Sequence, residues 1–171
     1  MSERVRILGF DPGSRIAGYG IIDAGVAGEL SVVSYGAIHL QPRGKKLGMP
    51  GRLRNLYKAL DEIVREHGPD VLAIEKVFHG RSFESVMKVG EARGVGLLVG
   101  SLHDMEIEEY AATRIKKTVT GNGQASKSQV QAMMTRLLDL DEPPHPQDVT
   151  DALAIAFCYA QSLRRIDLSR S

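Results

Sequence analysis

The sequence predicts an α/β domain built on a mixed five-stranded sheet, three antiparallel strands followed by two parallel ones, with helices on its faces. Three strand-like runs follow one another across short connections before any helical pattern appears, which describes an antiparallel meander. A helical pattern then leads into a further short apolar run, and such a crossover makes the new strand parallel to the one it joins. Acids close two of these strands, Asp11 after the first and Glu75 after the fourth.

The first strand is read from Val5, Ile7, Leu8 and Phe10, and Pro12-Gly13 stops it one residue past Asp11. Taken alone, Asp-Pro-Gly is a turn signal in which Asp11 accepts hydrogen bonds from the turn that follows. Ala17 to Asp23 and Leu30 to Leu40 read as the next two strands, divided by a turn over Ala24 to Glu29. Gly18 and Gly20 weaken the second of these and permit close backbone approach. A basic loop from Gln41 to Pro50 precedes a helix over about Gly51 to His67, where Leu53, Leu56, Leu60, Ile63 and Val64 recur at helical spacing.

Gly68-Pro69 ends that helix, and VLAIE, Val71 to Glu75, is the fourth strand. The loop Lys76 to Arg81 leads into a long helix from Ser82 to about His103 that carries Gly90, Gly94, Gly96 and Gly100. Each glycine costs about 1 kcal/mol relative to alanine in a helix interior, so close packing must offset it. The four-residue spacing of the 90/94 and 96/100 pairs allows packing on the chain's own sheet or on a second copy of the same helix. Glu106 to Ala112 is the fifth strand, followed by a basic stretch, TRIKKTVTGNG. Ser126 and Gln129 have capping-box spacing and open a helix, and a last helix runs from about Gln147 to Leu163 before a polar, frayed tail from Arg164.

The bulk composition fits one domain over residues 1–171: 43% apolar, 25% charged, net charge +1 at pH 7. No apolar run is long enough to cross a membrane and the N-terminus lacks a signal-peptide pattern, so a cytoplasmic protein is expected. One cysteine, Cys158, excludes an internal disulfide, and five scattered histidines lack zinc spacing. The charge is unevenly placed. Leu30 to Leu60 holds Arg43, Lys45, Lys46, Arg52, Arg54 and Lys58 without an acid; Tyr110 to Leu138 holds Arg114, Lys116, Lys117, Lys127 and Arg136, again without one. Two such segments suit a phosphate-backbone binder, although solvated faces would read the same way.

Four acids form the candidate site. Asp11 and Glu75 end neighbouring parallel strands, where open α/β sheets bind ligands. Asp148 and Asp151, three apart, share a face near the start of the last helix. If that helix covers the sheet edge, four carboxylates converge, and a hard divalent cation, Mg²⁺ or Mn²⁺, relieves their repulsion. Two such ions about 4 Å apart suit in-line displacement at phosphorus. Acids beside basic segments therefore point to phosphodiester cleavage.

These residues carry a resemblance. ILGFDPGSRIAGYGII (7–22), AIEKVF (73–78), KVGEARGVG (88–96), TVTGNGQASKSQVQ (118–131) and PQDVTDALAIA (146–156), in this order, resemble the RuvC Holliday-junction resolvases from Arg6 to about Tyr159. The resemblance implies the ribonuclease H-like fold and a metal-dependent endonuclease with Asp11, Glu75, Asp148 and Asp151 as catalytic and metal-holding acids. Some members place a histidine where Asp148 falls; this chain keeps the acid there, and His145 is assigned to the preceding loop. The resemblance also implies that Phe78 stacks on a base at the junction centre and that Lys116 and Lys127 act near the scissile strand; Arg81 and Lys117, neighbouring cations, are further candidates for DNA contact. The resemblance further implies a homodimer that uses the Gly90/Gly94 helix face, paired symmetric nicks leaving 5′-phosphate and 3′-hydroxyl ends, and cooperation with a branch-migration motor complex. Lys76, Phe10 and His79-Gly80-Arg81 depart from the pattern and leave the acids untouched. A junction-binding module without nuclease activity is the alternative. An actin-like or sugar-kinase-like ATPase, whose first phosphate loop also begins with Asp-x-Gly after a strand, would need two domains of this type.

Overall fold

A computed structural model describes residues 4–25, 27–76 and 82–168, with side chains described as far as Leu163. The sheet comprises β1 (Arg4–Asp11), β2 (Ile16–Gly25), β3 (Leu30–His39), β4 (Val71–Glu75) and β5 (Glu106–Tyr110), in the spatial order β3-β2-β1-β4-β5. The pairings β1–β2 and β2–β3 are antiparallel, whereas β1–β4 and β4–β5 are parallel. Both parallel crossovers run through a helix, α1 (Met49–His67) and α2 (Phe83–Leu102) respectively. The expected mixed sheet is the one observed.

Strand alternation sorts the side chains into two cores. Leu8, Phe10, Ile21, Leu72 and Ile74 pack under α1 and α2 with Leu56, Leu60 and Val99. On the opposite face, Ile7, Ile22, Val71 and Ala73 pack against the C-terminal helix (Gln147–Leu168), in which Val149, Ala152, Leu153 and the residues from Ala154 to Ala160 are buried. Phe10, Ile74 and Leu153 are fully enclosed, each such burial contributing about 1.5–3 kcal/mol.

Two expectations change and one helix is added. The basic stretch after β5 forms α3 (Ala112–Thr120), a helix absent from the sequence reading, and β5 stops at Tyr110 rather than Ala112. Ile115 and Val119 form its buried side, and Gly121, in the left-handed region at φ 79°, ends it. The helix expected after Ser126 is α4 (Lys127–Leu137), with the complete capping box between Ser126 and Gln129. The last helix, α5 (Gln147–Leu168), does not fray at Arg164; its backbone stays helical to Leu168. The two glycine pairs of α2 also part company. Gly96 and Gly100 face the protein's own sheet, where added Cβ atoms would stand 2.6 Å from Phe10 and 2.9 Å from Leu72, whereas Gly90 and Gly94 have nothing within 4 Å among the described residues.

Glycines let α5 lie directly on the sheet. A Cβ on Gly9 would stand 2.0 Å from the Ala152 carbonyl oxygen, and one on Gly18 would stand 1.9 Å from the Asp148 carbonyl oxygen. Both positions therefore need glycine for close approach, and that approach brings the start of α5 over the ends of β1 and β2. Among the described residues, no helix is long and apolar enough to cross a membrane.

Candidate active site

Period-two alternation decides where the strand-end acids point. Ile7 and Gly9 face α5, so Asp11, two further on, does too; Val71 and Ala73 face α5, so Glu75 follows them. Phe10 pairs with Ile74 in the parallel ladder, which makes Asp11 and Glu75 neighbours at the strand ends. The turn after Asp11 is tight: a Cβ on Gly13 would stand 1.8 Å from the Ile16 carbonyl oxygen. That turn returns the chain so that Gly18 pairs with Asp11, and Gly18 admits the first turn of α5 carrying Asp148. Asp151 follows on the same helix face, one turn later.

The four acids line a single cavity of about 940 Å³, with Lys116, Lys127, Lys76 and Lys88 also on its walls. Lys127, the first residue of α4, places its Nζ 3.4 Å from Asp151 Oδ2, while Gln147 Nε2 donates to Asp151 Oδ1 at 3.2 Å. The end of β4 is held from outside: Arg93 Nε donates to the Glu75 carbonyl oxygen at 3.2 Å, and its Nη2 pairs with Glu109 on β5. Arg93 thereby ties β4 and β5 together behind the acid.

Burial raises the Asp11 carboxyl well above the usual carboxylate range, and the charges of Asp151, Asp148 and Glu75 push it the same way; Lys127 opposes them. At Asp11 the neighbouring carboxylates outweigh the one lysine that opposes them. The cluster's donors are all oxygens, the chemistry that suits a hard divalent cation. Among the described residues no three acids or histidines are yet gathered as tightly as a bound metal would hold them. The fit therefore lies in the donor set, and Asp11, Glu75, Asp148 and Asp151 are the residues that would hold the ion.

Of the cations expected at the site, Lys116 and Lys127 are brought to the cavity, whereas Lys117 is exposed on α3 and outside its lining. Phe78 and Arg81 lie outside the described residues. Lys76 and Lys88 line the cavity without having been assigned a role from sequence. Lys88 lies one turn after Glu84, its ion-pair partner, and the pattern of a solvated helix pair masked it.

The sheet with carboxylates at its strand ends beside an acidic helix start is of the ribonuclease H-like type, and its relatives are nucleases of the junction-resolvase class. The family model for crossover junction endodeoxyribonuclease RuvC matches residues 7–159, and the chain belongs to that family. RuvC of Alkaliphilus metalliredigens is 44% identical over 156 residues, covering 91% of this chain and 93% of that protein. RuvC of Haemophilus ducreyi is 44% identical over 158 residues, covering 92% of this chain and 79% of its own length. Thermus thermophilus RuvC, solved in complex with a Holliday junction substrate, superposes with a TM-score of 0.84 at 26% identity, covering 94% of this chain and 96% of that one. The yeast mitochondrial resolvase Ydc2, at 13% identity and a TM-score of 0.73, shares the fold and covers 97% of this chain and 82% of its own.

Proposed function

We propose that the protein resolves four-way (Holliday) DNA junctions in recombination and repair by paired symmetric nicks, using Asp11, Glu75, Asp148 and Asp151 as its catalytic acids and leaving 5′-phosphate and 3′-hydroxyl ends. The observation that carries this reading is the convergence of those four acids on one cavity walled by Lys116 and Lys127. A pure phosphate binder gains nothing from carboxylates beside its ligand.

Family membership brings a general dependence on divalent metal ions. Mg²⁺, two per site and replaceable by Mn²⁺, is the ion we assign. When bound, such ions polarise the phosphoryl group and lower the pKa of water, the chemistry of in-line displacement at phosphorus. The chain's own residues do the rest. The acids would hold the ions; Lys116 contacts a phosphate oxygen; Lys127, held near Asp151, offsets charge that develops on the reacting phosphoryl oxygens. Phe78 stacks on an unpaired base, and Arg81 and Lys117 contact the backbone.

Paired nicking needs two sites. The helix α2 that carries Gly90 and Gly94 also exposes Phe83 at 81%, Met87 at 50%, Leu98 at 52% and Leu102 at 58%. Apolar side chains beside two open glycines support a homodimer through this helix. Cooperation with a branch-migration motor complex is part of the same family reading. The test is incubation with Mg²⁺ and an end-labelled mobile four-way junction beside linear duplex and flap controls. Paired nicks confined to the junction are expected; nicks distributed equally over all substrates would overturn the reading.

A further inference from the structure

We propose that a second, basic cavity between the β1–β2 turn and the loop joining β3 to α1 binds the DNA phosphate backbone as it leaves the active-site cleft. This inference rests on the resolvase reading above and extends it to residues that reading does not use. The cavity measures about 590 Å³, and Arg15, Lys45, Lys46 and Arg52 supply its charge. Among the described residues, no carboxylate lines it, and none of Arg15, Lys45, Lys46 and Arg52 takes part in an ion pair. Cations facing one another without a counter-charge repel; an anion between them removes the conflict.

The cavity is joined to the acid site. Arg15 and Ile16 line both. Arg52 links the two walls, donating from Nε to the Leu47 carbonyl oxygen at 3.1 Å and from Nη1 to the Ser14 carbonyl oxygen at 3.3 Å. Ser14 belongs to the turn that lines the acid cavity. The loop itself is built: Gly44 takes a left-handed φ of 78°, Lys45 N–H donates to the Pro42 carbonyl at 3.3 Å, and Leu47 N–H donates to Gln41 Oε1 at 3.3 Å. The first turn of α1 adds no acid, leaving its positive end uncompensated beside the lysines.

This chemistry selects a polyanion rather than a nucleobase. Among the described residues no Phe, Tyr or Trp lines the cavity, so it offers phosphate contacts without a stacking platform. A DNA strand threading from the acids past Arg15 meets Lys45 and Lys46 next, which fixes its register without reading its sequence.

The test compares wild type, Lys45→Glu/Lys46→Glu and a control of equal charge change, Arg54→Glu/Lys58→Glu, whose exposed side chains on α1 lie outside the cavity. Binding of a labelled four-way junction is followed by anisotropy in EDTA across a salt series. The expected result is weaker binding by the cavity variant, with a log–log salt slope shallower by about 0.9 for each phosphate no longer neutralised, and a control that keeps the wild-type slope. Lys45→Gln/Lys46→Gln gives the same direction should charge reversal disturb the loop. Equal changes in the cavity and control variants, or none in either, would overturn the inference. Wild type that neither binds nor cleaves junctions would instead overturn the resolvase reading beneath it.

Discussion

Lys127 and Asp151 meet across the active-site cavity, Nζ to Oδ2 at 3.4 Å, joining the first residue of α4 to the second turn of α5. Lys127 is 67% exposed, so the pair adds well under about 1 kcal/mol to stability. Its value lies in placing a positive charge among four carboxylates. Lys127→Ala is expected to lower single-turnover junction cleavage by about 10²–10³-fold, as removal of a charge-stabilising donor does, while shifting Tm little. A parallel drop in Tm and cleavage would reassign Lys127 to the fold.

Asp11→Asn separates stability from catalysis. A carboxyl whose folded pKa is raised makes the folded state hold a proton that the unfolded chain gives up, so stability falls as pH rises from the ordinary Asp range towards the folded pKa. The amide removes that cost. In metal-free buffer at neutral pH the variant is expected to melt higher, by about 2–4 °C for each kcal/mol relieved, with the gain vanishing below the ordinary Asp range. Cleavage is expected to disappear while junction binding persists; cleavage at the wild-type rate would falsify the assigned role.

The same cluster couples metal binding to pH. A carboxyl with a raised pKa holds its proton more tightly and must give it up to ligate a cation, so Mg²⁺ binding is expected to release protons where the metal-free site still carries them. Calorimetric titration in two buffers of unlike ionisation enthalpy reads the number directly, and identical heats in both would contradict it.

Arg6 and Asp23 provide a pH-dependent clasp far from the site. The guanidinium donates from Nε and Nη2 to the two Asp23 oxygens at 2.7 and 2.8 Å, and holds that carboxyl below its usual range. For an acid with a lowered folded pKa, the stabilisation is full above the ordinary Asp pKa and is lost as pH falls through the folded value. With Arg6 35% exposed, screening limits it to about 1 kcal/mol. Asp23→Asn is expected to lower Tm by a few degrees at pH 7, and by progressively less as melts are taken into the acid range.

The two glycine pairs of α2 make opposite predictions. Gly96→Ala drives a Cβ into the buried Phe10 ring, an overpacking that costs about 1–3 kcal/mol. Gly94→Arg meets open space, so its Tm is expected to stay near wild type while sedimentation shifts from dimer to monomer and paired nicks give way to single ones. A dimer that survives this change would move the interface elsewhere.

Much of this protein was legible in its sequence because the informative signals are local. A period of two along VRILGFD and VLAIE, with Pro12-Gly13 as a stop, was enough to put carboxylates at two strand ends, and the i, i+3 spacing of Asp148 and Asp151 to put two more on one helix face. The capping box at Ser126 likewise announced α4. α3 stayed hidden because its nine residues carry three threonines and three cations around only two buried aliphatics, and packing on α5 rather than propensity makes them helical. Tertiary structure also decided which glycine pair meets the sheet, since equal spacing cannot say which helix face turns inward. It alone brought Lys127 to Asp151 and joined the loop lysines to the acid cavity through Arg15. Those relations depend on how closely α5 can lie on the sheet, and the backbone contacts at Gly9 and Gly18 set that distance.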